Sequence, residues 1–171
     1  MLAVRAQNCE WRIDRKTGAA TCLGVINRDS AFGCARFGLG ENGHVYLVTS
    51  EGDRGACPVR IFERLGDGDY KLRGKIDWTG GDGQEDAKME SGKEKQTVLW
   101  FDKNGDGLEQ PDERVVVASV LDFNIAWTMP DLTLHYGVRG NRQQEFMLKV
   151  VGWTECGARA LRSRKEHSPA A

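Results

Sequence analysis

The sequence predicts an all-β chain of antiparallel strands. Apolar and β-branched residues recur with period two, turns rich in Gly, Asn and Asp separate them, and only Gln84–Glu94 offers any helical reading. Its 171 residues are enough for one domain with a real core. With 40% apolar and 29% charged residues the composition is that of an ordinary globular chain. A net charge of −1 gives no field to draw nucleic acid or anionic lipid. No apolar run approaches the roughly 20 residues of a membrane-spanning helix.

Residues 1–34 form a weakly patterned N-terminal segment. Its opening, MLAVRAQNCEWRID, lacks the apolar stretch of a secretory signal, so the expectation is either cytosolic residence or a chain lacking its true beginning. From Ala35, ARFGLGENGHVYLVTS places an Asn-Gly turn between two apolar runs, a hairpin signal because both turn residues tolerate positive φ. Val59, Ile61 and Glu63 alternate with Arg60, Phe62 and Arg64, giving a second strand pattern. The turn LGDGDY then leads into DYKLRGKIDW, a third, marked by Tyr70, Leu72 and Ile76.

Between Thr79 and Lys95 apolar residues nearly vanish, which predicts a long, mobile polar loop. Strand pattern returns in QTVLWF and, after an acidic stretch, in ERVVVASVLDFNIAW, DLTLHYG and EFMLKVVGW. Val115–Val120 is apolar and β-branched enough to predict a buried strand. The basic tail over 154–171 is predicted to be disordered. Five cysteines (Cys9, Cys22, Cys34, Cys57, Cys156) leave at least one without an intramolecular disulfide partner, and no C-x-x-C spacing occurs. They read as partly buried thiols, with room for one disulfide.

The chemistry concentrates in WFDKNGDGLEQPDE, Trp100–Glu113, where five acids fall in fourteen residues. Asp102, Asn104 and Asp106 alternate, Gly107 follows, and Glu113 closes a twelve-residue window: the D-x-[DN]-x-[DN]-G-x5-E spacing of an EF-hand calcium loop. Calcium takes six to eight oxygens in flexible geometry. Alternate side chains of a tight loop supply them at Asp102, Asn104 and Asp106, Gly107 permits the sharp bend, the Leu108 carbonyl adds a backbone oxygen, and Glu113 offers both carboxylate oxygens. Gln110 is placed to act through a water. Magnesium suits so many protein ligands less well. An Asx-rich turn that merely joins two strands is the competing explanation, but it accounts for neither the alternation nor the distal Glu113. Glu109 departs from the apolar residue of a paired EF-hand, and both flanks are strands. The expectation is thus a lone loop on a β scaffold rather than a helical regulator.

The run from GHVYLV through VRIFER, GDYKLRGKI and LWFDKNGDG to PDLTL resembles the β-propeller regions of large bacterial secreted or cell-surface proteins, of the NHL-like or quinoprotein-like kind. The likeness covers about Phe37–Trp153 and is specific at Trp100–Glu113. It implies propeller-blade-like sheets over a 35–153 module, a calcium loop and an extracellular or periplasmic setting. Protein or carbohydrate at the cell surface would be the partner. About two blades fit, so the resemblance implies a fragment, or a smaller sandwich-like domain sharing the motif. It also implies an alternative role, as part of a sugar- or alcohol-dehydrogenase propeller whose catalytic residues lie mostly outside this chain.

Other groups point nowhere as firmly. His44, His135 and His167 lie far apart and read as surface or satisfied histidines. Gly80, Gly81 and Gly83 suggest a phosphate loop without its lysine. Asp82, Glu85 and Asp86 suggest a second cation site less well than a solvated loop. Asp67, Asp69 and Asp77 are acids without a nucleophile. Trp100, Trp127 and Trp153 are expected to pack between blades rather than bind sugars.

Overall fold

The computed structural model describes residues 9–26, 32–51, 59–78, 96–117, 121–128, 132–138, 141–153 and 159–167. The strands within them, all paired antiparallel, confirm the predicted class. β1 (Cys9–Ile13) and β2 (Ala20–Val25) form a hairpin. A six-stranded sheet follows in chain order: β3 (Phe32–Leu39), β4 (Val45–Glu51), β5 (Val59–Gly66), β6 (Asp69–Trp78), β7 (Thr97–Phe101) and β8 (Arg114–Val117). A four-stranded sheet, again in chain order, holds β9 (Leu121–Thr128), β10 (Leu134–Val138), β11 (Asn141–Trp153) and β12 (Arg159–His167). A short 3-10 turn, Pro111–Glu113, lies just before β8. No helix among the described residues is long and apolar enough to cross a membrane.

Local chemistry explains the connections. Gly43 sits at φ 80° in the predicted Asn-Gly turn, where its N–H donates to the Gly40 carbonyl at 2.9 Å, and the Asn42 side chain accepts the His44 N–H at 3.2 Å. Across the six-stranded sheet Val48 stands opposite Ile61, Ile61 opposite Gly74, and Gly74 opposite Phe101. One continuous core joins the two larger sheets. Tyr46, Val48, Val59, Ile61, Ile76, Leu99 and Phe101 pack with Leu132, Leu134 and Leu148, and Val150 and Trp153 close the edge. Trp153 stacks on Tyr46 at 5.0 Å between ring centroids, joining the two sheets.

Leu132 shows how burial governs this core. It takes φ 65°, a conformation that costs a branched residue roughly 1–2 kcal/mol. Its side chain is fully buried, worth about 1.5–3 kcal/mol, so burial outweighs the strain.

Among the described residues the strands divide into six, four and two, and no closed or propeller arrangement is identified. Two expectations need correction. Residues 159–167 of the expected disordered tail are strand β12, paired with β11 from Gln144↔His167 to Trp153↔Arg159. Basic composition misled there, because edge strands carry Lys and Arg to resist further pairing. The buried strand expected over Val115–Val120 is instead the edge strand β8, whose Val115 and Val116 are 50% and 55% exposed. Residues 118–120, the polar loop of 79–95 and the helical reading of Gln84–Glu94 lie outside the described residues.

The weakly patterned N-terminal segment yields the β1–β2 hairpin, which docks on the turn between β5 and β6. Glu10 accepts the Gly68 N–H at 2.8 Å and the Arg64 Nε–H at 3.0 Å, while Asp67 pairs with both Arg12 and Arg64. Two glycines allow the approach: a Cβ on Gly68, which has φ 68°, would lie 2.3 Å from the Leu23 carbonyl oxygen, and one on Gly24 would lie 2.8 Å from Gly68 Cα. Gly68→Ala is therefore expected to destabilise the protein by ~1–3 kcal/mol, measured by urea unfolding. Burial pushes the Glu10 pKa up, but the Gly68 N–H and Arg64 outweigh it and hold it below 4.5. A depressed carboxylate stabilises the fold above its unfolded pKa and loses that contribution as pH falls through the folded value. The urea midpoint is expected to fall with acidification below pH 4.5, less steeply in Glu10→Gln.

Candidate metal centre

The acidic loop spans from the end of β7 to the start of β8, and its two ends are the buried parts. Asp102 is fully buried and Glu113 is 2% exposed, whereas Asn104, Asp106 and Leu108 lie at the surface. A strand that ends in a buried acid must supply it with donors, because an unpaired buried carboxylate is prohibitively costly.

Glu113 is held by three N–H groups. Its Oε2 accepts the Trp100 indole N–H at 2.8 Å, and its Oε1 accepts the backbone N–H of Lys103 at 2.7 Å and of Asn104 at 3.3 Å. The far end of the window is thus fastened to the near end. Trp100 was expected to pack, and it does so while orienting Glu113; the signal was its place two residues before Asp102.

Asp102 is held from the other side by Arg73. The guanidinium donates from Nη1 to Asp102 Oδ2 at 2.9 Å and from Nε to Glu63 Oε2 at 2.7 Å, with all three groups buried. A β-bulge puts it there. Ile61 pairs with Gly74 and Phe62 with Leu72, so Arg73 is the extra residue on β6 and its side chain is re-aimed. The Asp102 N–H also donates to the Arg73 carbonyl at 3.1 Å. Burial pushes the Arg73 pKa down, but Glu63 and Asp102 more than offset it and the net shift is upward. His44 Nδ1 contacts Glu63 Oε1, which makes this histidine satisfied, as expected.

The exposed tip is organised by its own amides. Asp102 Oδ1 accepts the Gly107 N–H at 3.2 Å, Asn104 Oδ1 the Asp106 N–H at 2.9 Å, and Asp106 Oδ1 the Leu108 N–H at 2.6 Å. Gly105 and Gly107 both take φ 80°, the left-handed conformation that lets successive N–H groups turn inward. Asp106 Oδ2 accepts the side-chain amides of Asn104 at 2.9 Å and Gln110 at 2.6 Å. The Leu108 N–H leads the contacts that lower the Asp106 pKa, with the Lys71 charge assisting. The Lys71 ammonium donates to the Gly105 carbonyl. Glu109, the departure from the EF-hand pattern, pairs with Arg114 at 2.8 Å in an exposed contact of little energetic weight.

The predicted ligands Asp102, Asn104, Asp106 and Glu113 therefore share one hydrogen-bonded loop, and the Leu108 N–H belongs to it. In kind the donors suit calcium: all are oxygens, and a carboxylate or amide oxygen that accepts one N–H has a second acceptor position. In position they are not gathered. Among the described residues no three of the His, Cys, Asp and Glu side chains form a metal-holding group. Sequence reasoning missed Arg73, Glu63 and Lys71; the only hint was a charged residue inside the apolar pattern of DYKLRGKI. Asp67 pairs with Arg12 and Arg64, and Asp77 with Lys75. The glycines and acids of 80–86 lie outside the described residues, as do the side chains of Trp127 and His167.

Replacing Arg73 by Met strands Glu63 and Asp102. Such a break in a buried ion network is expected to cost about 3–5 kcal/mol, read by urea unfolding. The companion triple variant Arg73→Met, Glu63→Gln, Asp102→Asn is expected to recover part of that loss.

No family model, no curated protein and no solved structure matches this chain.

Proposed function

We propose that the loop from Asp102 to Glu113 binds a calcium ion and that the chain is a structural or interaction module of an exported bacterial protein. The observation that carries this reading is the combination of the twelve-residue ligand spacing with the loop's internal order. Its end carboxylates are buried, and backbone N–H groups already orient Asp102, Asn104, Asp106 and Glu113. Ligands fixed in this way lose little freedom when an ion is captured.

Asp102, Asn104, Asp106, the Leu108 carbonyl and Glu113 are the residues that would hold calcium. The ion would supply positive charge at the β7–β8 connection and stabilise the fold by mass action. Capture requires Asp106 to exchange the amides of Asn104 and Gln110 for the ion. Without a partner loop, affinity belongs in the weak range, ~10⁻⁴–10⁻³ M.

The propeller reading rests on the resemblance around Trp100–Glu113. The four-stranded antiparallel meander β9–β12 supports it in strand number and order, since a blade has that composition. A second reading is favoured by Asp106, whose contacts with Asn104 and Gln110 seal the loop without metal.

Calorimetric titration decides between them. Calcium is expected to give a heat of binding and a raised melting temperature at millimolar concentration, magnesium a weaker response, and Asp106→Ala none. Identical melting curves for the wild-type chain with and without calcium, and no heat, would leave the sealed turn as the answer.

A further inference from the structure

We propose that Cys9 and Cys22 form a redox-responsive pair that closes to a disulfide and staples the N-terminal hairpin where it docks on the β5–β6 turn. The inference is independent of the calcium loop and rests on strand register. Cys9, Trp11 and Ile13 share one face of β1, while Glu10 and Arg12 face the dock. Trp11 pairs with Cys22, so Cys22 stands on the Cys9 face. The bulge between Glu10 and Trp11 takes Leu23 out of register and leaves Cys9 and Cys22 as diagonal neighbours.

Both are free thiols, Cys22 exposed and Cys9 half-buried, and the register makes them neighbours on one face of the hairpin. The Cys22 thiol also donates to the Gly24 carbonyl at 3.9 Å. Their place in the hairpin matters. Its closed end is already secured by the turn in which Gly18 N–H donates to Asp14 at 2.8 Å. The thiols lie toward the open end, beside Glu10 and Gly24, which meet Gly68 together with Leu23. A bond between them would hold that docking pair together when the strands fray.

Glutathione disulfide is a sufficient oxidant. Partial burial and the neighbouring Cys22 sulfur push the Cys9 thiol above its usual range, so exposed Cys22 reacts first. The Cys22 thiolate attacks one sulfur of glutathione disulfide. That S–S bond breaks, and one glutathione leaves as thiolate and takes up the proton Cys22 lost. Cys9 then loses its proton and attacks the Cys22 sulfur of the mixed disulfide, expelling the second glutathione, which is protonated in turn. Two protein thiols become one disulfide, and one glutathione disulfide becomes two glutathiones.

The test is to incubate the full chain with glutathione disulfide and follow intact mass, peptide linkage and amide exchange. The wild-type chain is expected to lose two hydrogens at a Cys9–Cys22 bridge and to slow exchange of the Gly68 N–H, which donates to Glu10. Cys9→Ser is expected to stop at a lasting glutathione adduct on Cys22. A lasting adduct on the wild-type chain overturns the proposal. So does a bridge from Cys22 to Cys34, Cys57 or Cys156, or Gly68 exchange that the bridge leaves unchanged.

Discussion

The candidate site depends on a buried guanidinium between two buried carboxylates. Arg73 reaches Glu63 within its own sheet and Asp102 at the root of the acidic loop. Burying a charge on this scale is tolerable only when each ion finds partners of good geometry, and removing one leaves the others stranded. The bulge on β6 is what makes the geometry available, so register, loop position and charge balance are one constraint. From this anchor the loop leaves β7, and Glu113 refastens it through Trp100 and Lys103 before β8 begins. The tip between these clamps carries its own amide hydrogen bonds and the Lys71 contact, and Asn104 and Asp106 lie exposed.

What could be read from sequence was what local physics dictates. The Asn-Gly turn at 42–43, the alternation of Val59–Arg64 and the apolar run Thr97–Phe101 each carry their conformation within a few residues, and each forms the predicted element. The grouping of strands into six, four and two was not legible, because pairing partners are chosen by non-local contacts that period-two alternation does not encode. The same limit explains Val115–Val117, whose β-branched run states a preference for strand and says nothing of edge or centre. Arg159–His167 failed in the opposite sense: a composition that reads as a solvated tail is also compatible with an edge strand. At the loop, spacing revealed which oxygens belong together. It could not reveal Arg73, since a bulge exists only relative to the register of the neighbouring strand.

The hairpin dock illustrates a different balance. Little apolar area is hidden there; Trp11 and Ile13 remain 44% and 64% exposed. Contact is made instead by backbone against backbone at Gly24 and Gly68, and by a ring of charges, Glu10, Arg12, Arg64 and Asp67. The more exposed of these pairs contribute little each. Glu10, only 15% exposed at its side chain and hydrogen-bonded to a backbone N–H, contributes most of the specificity. An interface built in this way is sensitive to pH and to single methyl groups, and it gains more from a covalent tether than an apolar core would.

The two halves of the acidic loop make opposite demands on a bound ion. Glu113 accepts neutral N–H groups and welcomes added positive charge. Asp102 already shares one oxygen with Arg73, so a divalent ion on its other oxygen would sit close to a like charge. Two unit charges about 4 Å apart at an effective dielectric of 20 interact by about 4 kcal/mol, and the extra separation across a carboxylate reduces that without abolishing it. Asp102 and Glu63 would offset part of this repulsion. On the proposed calcium reading, weak affinity would follow in part from Arg73, the same residue whose pairing keeps Asp102 in place.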